Sequence, residues 1–155
     1  MTLIQALMNQ AGTGSLLSSQ VIRSYTPAQI RETIQELVAN EQMELANALG
    51  DAGLSLYPQS EDILAITGLL AIMNQDWQLA VELIGDLMEI QGDNTPAFTF
   101  VMMVRALRCN FDPHRALELA RQGLALYPDQ VELLAEKLAL DDFSDAVLPA
   151  PVQQQ

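Results

Sequence analysis

The sequence predicts an all-α chain, an α-solenoid of about three degenerate helix–turn–helix units closed by a C-terminal capping helix. Three observations carry that expectation: a segment that returns at twice a thirty-five-residue period, helix-start signals in step with it, and apolar residues at helical spacing with no competing strand pattern. Gly53-Leu54-Ser55-Leu56-Tyr57-Pro58 recurs as Gly123-Leu124-Ala125-Leu126-Tyr127-Pro128, 70 residues later. The alanine seven residues before each copy, Ala46 and Ala116, has a counterpart at Ala80, so the intervals are 34 and 36.

Taken in order, apolar spacing predicts helices over 27–41, 43–56, 61–74, 76–90, 96–109, 113–126 and 130–141. Thr26-Pro27-Ala28-Gln29 is a capping box with proline at the first helical position, Thr95-Pro96 repeats the Thr-then-Pro start, and Asp112-Pro113 uses an acidic cap. Ser60 before Glu61 and Asp62 puts a cap and two carboxylates at the positive end of a helix dipole, so that pair reads as a helix start rather than as an acid–base pair. The helix over 61–74 carries Ile63, Leu64, Ile66, Leu69, Leu70, Ile72 and Met73 around more than one face, as a helix contacted on two sides must. Residues 1–25, with Gly12-Thr13-Gly14-Ser15 in their middle, read as a flexible or partner-dependent arm. The helical domain then covers 26–141, and 142–155 read as a disordered tail.

A chain of 155 residues is long enough for one core without disulfides or a metal. Apolar side chains make up 50% and charged ones 17%, against about 25% charged in ordinary domains. That excess predicts apolar surface left for a partner or for self-association. Seven basic residues against twenty acidic ones give a net charge of −13, which repels phosphate backbones and anionic lipid, so neither nucleic acid nor a membrane is an expected partner. No run of eighteen apolar residues predicts a membrane span. The single Cys109 and the lack of a basic, apolar leader point to a reducing, cytoplasmic location.

These residues resemble the tetratricopeptide repeat family, a 34-residue helix–turn–helix unit, over residues 27–141. In the middle unit Gly68 falls on the small position of the first helix, Gln75-Asp76-Trp77 on the turn and Ala80 on the second-helix alanine. In the third, Asp112, Ala116, Ala120 and Pro128 match. In the first, Ala46 and Pro58 match, while Gly50 and Gly53 take positions that larger residues or alanine normally fill. Departures are Gly92 in place of a terminal proline, two residues added before the third unit, and Val104 at that unit's small position.

The resemblance implies a concave face lined by the first helices, which projects onto Arg31, Gln35 and Val38, then Ala65, Leu69, Ile72 and Met73, then Phe98, Val101, Arg105 and Arg108. Such a groove is apolar in the middle with arginines at its ends and suits an amphipathic helix or peptide with acidic flanks. Each apolar position is equally at home in the core. Arg105 and Arg108 have an alternative use in ion pairs with Glu82, Asp86 or Glu89.

Catalytic chemistry is not legible. One histidine, His114, and one cysteine do not make a zinc site or a spaced nucleophilic pair, Gly12-Thr13-Gly14-Ser15 lacks the lysine of a phosphate loop, and the carboxylates follow no calcium-loop spacing, so no cofactor, metal or enzyme activity is implied. Size, acidity and repeat architecture are similar to the tetratricopeptide class of bacterial type III secretion chaperones, which implies a chaperone or adaptor for a hydrophobic secretion client. A homo-oligomeric scaffold that buries the excess apolar surface in self-contacts is the alternative.

Overall fold

The computed structural model describes residues 3–5 and 19–147. Residues 3–5 form a helical turn. The helices that follow are α1 (Ser19–Arg23), α2 (Pro27–Ala39), α3 (Met43–Leu56), α4 (Glu61–Met73), α5 (Trp77–Gln91), α6 (Ala97–Cys109), α7 (Pro113–Leu126) and α8 (Val131–Val147), with a 3₁₀ turn at Gly92–Asn94. No strand occurs among the described residues.

The starts of three helices follow their predicted caps. Thr26 Oγ1 accepts from Gln29 N at 3.2 Å while Thr26 N donates to Gln29 Oε1 at 2.8 Å, a complete capping box. Ser60 and Asp112 accept from the backbone N–H groups of Ile63 and Arg115. Thr95 behaves differently from the expectation. Its hydroxyl donates to Gly92 O at 2.6 Å, closing the 3₁₀ turn, and α6 opens at Pro96 with no side-chain cap.

Each unit closes on the same turn. The backbones of Glu41, Gln75 and Phe111 are left-handed at φ 61, 59 and 61°, positions separated by the same 34 and 36 residues as the repeat alanines. The following N–H reaches back over the helix end: Gln42 N to Leu37 O at 2.8 Å, Asp76 N to Ala71 O at 2.9 Å, and Asp112 N to Leu107 O at 3.0 Å. That pattern satisfies carbonyls otherwise orphaned at a helix C-terminus.

Helices pair as α2–α3, α4–α5 and α6–α7, and α8 packs on both α6 and α7. The first helices also touch in series, α2 with α4, α4 with α6 and α6 with α8, whereas α3, α5 and α7 scarcely meet one another. A layer closed along α2, α4, α6 and α8 and splayed along α3, α5 and α7 curves with the first set inside. Ala46, Ala80 and Ala116 are fully buried, which lets the helices of adjacent layers approach.

The core has two lobes that share α4. Ile63, Ile66 and Leu70 pack toward α2 and α3, while Leu64 and Ala71 pack toward α5 and α6. This is the two-sided contact that its apolar girdle predicts.

Two boundaries differ from the sequence reading. In the region read as an arm, Leu3 and Ile22 are buried against Ile30, Ile34 and Leu37, so the described parts of residues 1–25 belong to the first lobe. Helix α8 passes the predicted end at 141 and continues to Val147, with Lys137 Nζ on Asp141 Oδ2 at 2.9 Å supporting that turn. Gly12-Thr13-Gly14-Ser15 and residues 148–155 lie outside the described residues.

Candidate protein-binding groove

The projected residues lie on the inner helices α2, α4 and α6, and their exposure differs from one helix to the next. On α2, Arg31 Nη1 meets Asp62 Oδ1 of α4 at 3.1 Å, Gln35 is exposed, and Val38 is half-buried against the first lobe. The Arg31 pair ties adjacent inner helices together rather than leaving a free cation. On α4, Ala65, Leu69 and Ile72 are half-buried, each packed in part on the core and open in part to solvent. Met73 at 46% and Phe98 at 58% exposure are the large apolar residues most open along this strip. Val101, projected as groove-facing, is 4% exposed and belongs to the second lobe. It lies one turn after Phe98 on α6, a helix packed against α4, α5, α7 and α8.

Arg105 and Arg108 have a partner that the sequence reading did not name. Arg105 Nε lies 2.9 Å from Glu136 Oε1 and Arg108 Nε 2.7 Å from Glu136 Oε2, so the two guanidiniums divide one carboxylate of α8 between them. The Glu136 side chain is only 6% exposed. Burial alone raises its pKa, but hydrogen bonds from Arg108 and Arg105 outweigh that and hold it below the ordinary carboxylate value. Arg108 is raised in turn, chiefly by its hydrogen bond to Glu136. Glu82, Asp86 and Glu89, the expected partners, lie on outer helix α5 and make none of these ion pairs. A signal for Glu136 existed in the sequence: it falls on the stripe of Leu133 and Leu140, the buried face of α8, where a carboxylate requires a cation.

At the turn edge of the third unit the surface opens into a mostly apolar pocket of about 530 Å³, lined by Trp77, Arg108, Cys109, Phe111, Pro113 and Ala139. Phe111 is 91% exposed on its rim and holds the left-handed turn position. Trp77 and Phe111 were not among the projected residues, because turn residues do not lie on the first-helix positions from which the projection is made. Arg108 joins this pocket to the groove. Among the described residues no group of three His, Cys, Asp or Glu side chains lies close enough to hold a metal ion, and no helix is long and apolar enough to cross a membrane.

No protein-family model and no curated protein sequence matches the chain. Solved structures do resemble it. The MamA RS-1 ArsTM double mutant aligns with a TM-score of 0.70 at 13% identity, over 92% of this chain and 82% of that one. A MamA point mutant aligns at 0.69 and 14%, over 94% and 87%. The fold is of the tetratricopeptide-repeat type. The Assembly Chaperone of RpL4 (Acl4) aligns at 0.55 and 17% identity over 92% of this chain, which spans 57% of that longer protein. At these identities the tetratricopeptide-type likeness is one of architecture, in agreement with the helix pairing and the repeated turn described above.

Proposed function

We propose that the chain is a protein-binding module, a chaperone or adaptor that holds an apolar or amphipathic segment of a client along its inner face. The observation that carries this is the open apolar strip of Leu69, Ile72, Met73 and Phe98, which continues past Arg108 to the pocket below Phe111. A tetratricopeptide-type layer presents its inner helices as a continuous surface, and large apolar side chains left exposed there gain by excluding water against a partner. One of the similar structures is itself an assembly chaperone. The arginines at the groove end are engaged by Glu136, so client recognition rests on apolar anchors more than on acidic flanks. Chaperoning of a type III secretion client in the cytoplasm is the finer reading, and it is supported by size, acidity and architecture alone.

The test is co-purification from the native host with wild type and with Met73→Glu plus Phe98→Glu, both substitutions at exposed positions that leave the core intact. A single client that follows wild type and is lost from an equally helical double mutant supports groove binding. A client retained by the mutant sinks it.

The homo-oligomeric alternative has an observation of its own. Val131, Leu134 and Leu138 are exposed in a row on α8, where a terminal helix ordinarily turns a polar face outward. Light scattering after size exclusion, with Leu134→Lys plus Leu138→Lys as control, separates a self-assembling scaffold from a monomer that waits for its client.

A further inference from the structure

We infer that the outer face carries a second docking cleft, between α5 and α7, which takes a basic amphipathic helix of a partner protein. The cleft is a groove of about 480 Å³ whose floor is apolar, formed by Met103 and Leu107 of α6 with Met88 and Leu119 at its sides. The preceding gap on the same face, between α3 and α5, is lined by equivalent helices and holds only about 200 Å³. The larger opening coincides with the two residues added before the third unit.

Gly85 is the second observation. In repeat register, counting 34 residues back and 36 forward, its equivalents are Asp51 and Arg121, both exposed side chains on the outer surface. A Cβ built on Gly85 meets only Met103 Cε, at 3.9 Å, an ordinary contact. At Gly68, by contrast, it would come within 2.8 Å of Ile84 Cγ1. Glycine inside a helix weakens it, and at Gly68 packing requires that. At Gly85 no neighbour does. What its missing side chain leaves is access to the floor, as a close-approaching partner needs.

The charges select the occupant. Glu82, Asp86 and Glu89 line one wall at helical spacing and Glu118 the other, and none of the four has a cationic partner among the described residues. The one cation at the cleft, Arg115, is turned to Asp112 at 3.6 Å. An acidic α5 wall with Glu118 opposite it, over an apolar floor, complements a helix with lysines or arginines along its flanks and an apolar residue directed at Gly85. The stretch from Val81 to Glu89 rises about 12 Å, which fits two turns of such a helix.

The experiment uses the full chain and labelled synthetic peptides of sixteen residues: one with leucines at helical spacing among lysines, one with the leucines replaced by serine, and one with the lysines replaced by glutamate. Anisotropy titrations are run on wild type, Gly85→Gln, Glu82→Gln plus Glu118→Gln, and Leu69→Asp, with circular dichroism to confirm each fold. The expected result is binding of the leucine–lysine peptide alone, at least tenfold weaker for the Gly85 and double-glutamine variants and unchanged for Leu69→Asp. Amide exchange should slow in Val81–Glu89 and Arg115–Gln122 on binding. The inference is overturned if no peptide binds, if the serine–lysine peptide binds as well as the leucine–lysine one, if Gly85→Gln has no effect, or if only Leu69→Asp abolishes binding. The last outcome assigns the peptide to the inner groove, so failure of this cleft is distinguishable from failure of that one.

Discussion

The Tyr127 hydroxyl donates to the Thr95 carbonyl at 2.7 Å, and Tyr57 makes the same reach of 32 residues to the Tyr25 carbonyl at 2.9 Å. Each bond ties the end of a unit's second helix to the residues that enter its first helix, closing the hairpin at the end opposite its turn. Tyr127 also sets its ring edge-on to Phe100, with centroids 6.2 Å apart. Tyr127→Phe keeps the ring contact and removes only the hydroxyl, leaving a carbonyl of buried Thr95 without this donor. The expected cost is about 1–2 kcal/mol, read as a lower urea midpoint with unchanged slope. An unchanged midpoint shows that water replaces the bond without loss.

The middle unit lacks this clasp. Gln91 holds the register position of Tyr57 and Tyr127, and its Oε1 is buried without a hydrogen-bond partner. An acceptor removed from water and left unpaired costs about 1–3 kcal/mol. Gln91→Leu removes the polar atom at similar volume, so it should raise stability by about 1 kcal/mol, measured as a higher thermal midpoint. A lower midpoint indicates that the amide is solvated in solution.

The repeat made most of this architecture legible. Tyr-Pro pairs, buried alanines and caps are local chemistry, and the period places them in register. Gly68 is readable as a small position, and the 2.8 Å approach of Ile84 to its absent Cβ supplies the reason. What escaped depends on contacts distant in the chain. Glu136 looks like any solvated glutamate until its stripe with Leu133 and Leu140 is found to be buried, and only then do Arg105 and Arg108 cease to be free groove cations. Val101 fails as a groove residue for a related reason: α6 is enclosed by α4, α5, α7 and α8, which leaves little of its surface free. Little in the sequence signals the extension of α8, because Asp141 and Asp142 oppose the dipole at a helix end; the pair from Lys137 to Asp141 offsets part of that.

Glu136 also makes stability depend on pH in a defined direction. Its native pKa is lowered, so the stabilisation from its two arginines is complete above the ordinary glutamate range and drains away as pH falls through the native value. Glu136→Gln keeps the shape and loses the charge. At pH 7 it should destabilise by about 1–2 kcal/mol, a charged hydrogen-bond pair discounted because both arginines are partly solvated. The gap between wild type and variant should narrow as pH is lowered below about 4.3. Paired urea titrations at pH 7 and pH 3.5 check this, and a gap that widens in acid contradicts it.

The left-handed turns separate stability from binding. Gln75 and Phe111 adopt φ 59 and 61°, where a side chain costs about 1–2 kcal/mol that glycine avoids. Glycine's greater freedom in the unfolded chain returns about 1 kcal/mol of that, so each substitution should stabilise by about 0.5 kcal/mol. Gln75→Gly should leave client capture unchanged. Phe111→Gly should be as stabilising yet weaken capture, because it removes the 91%-exposed ring on the rim of the apolar pocket. A residue that strains its turn and exposes a large apolar surface is better explained by a partner than by the fold. Thermal midpoints and client co-purification on the two variants decide between them: equal capture by both would make Phe111 a feature of the turn alone.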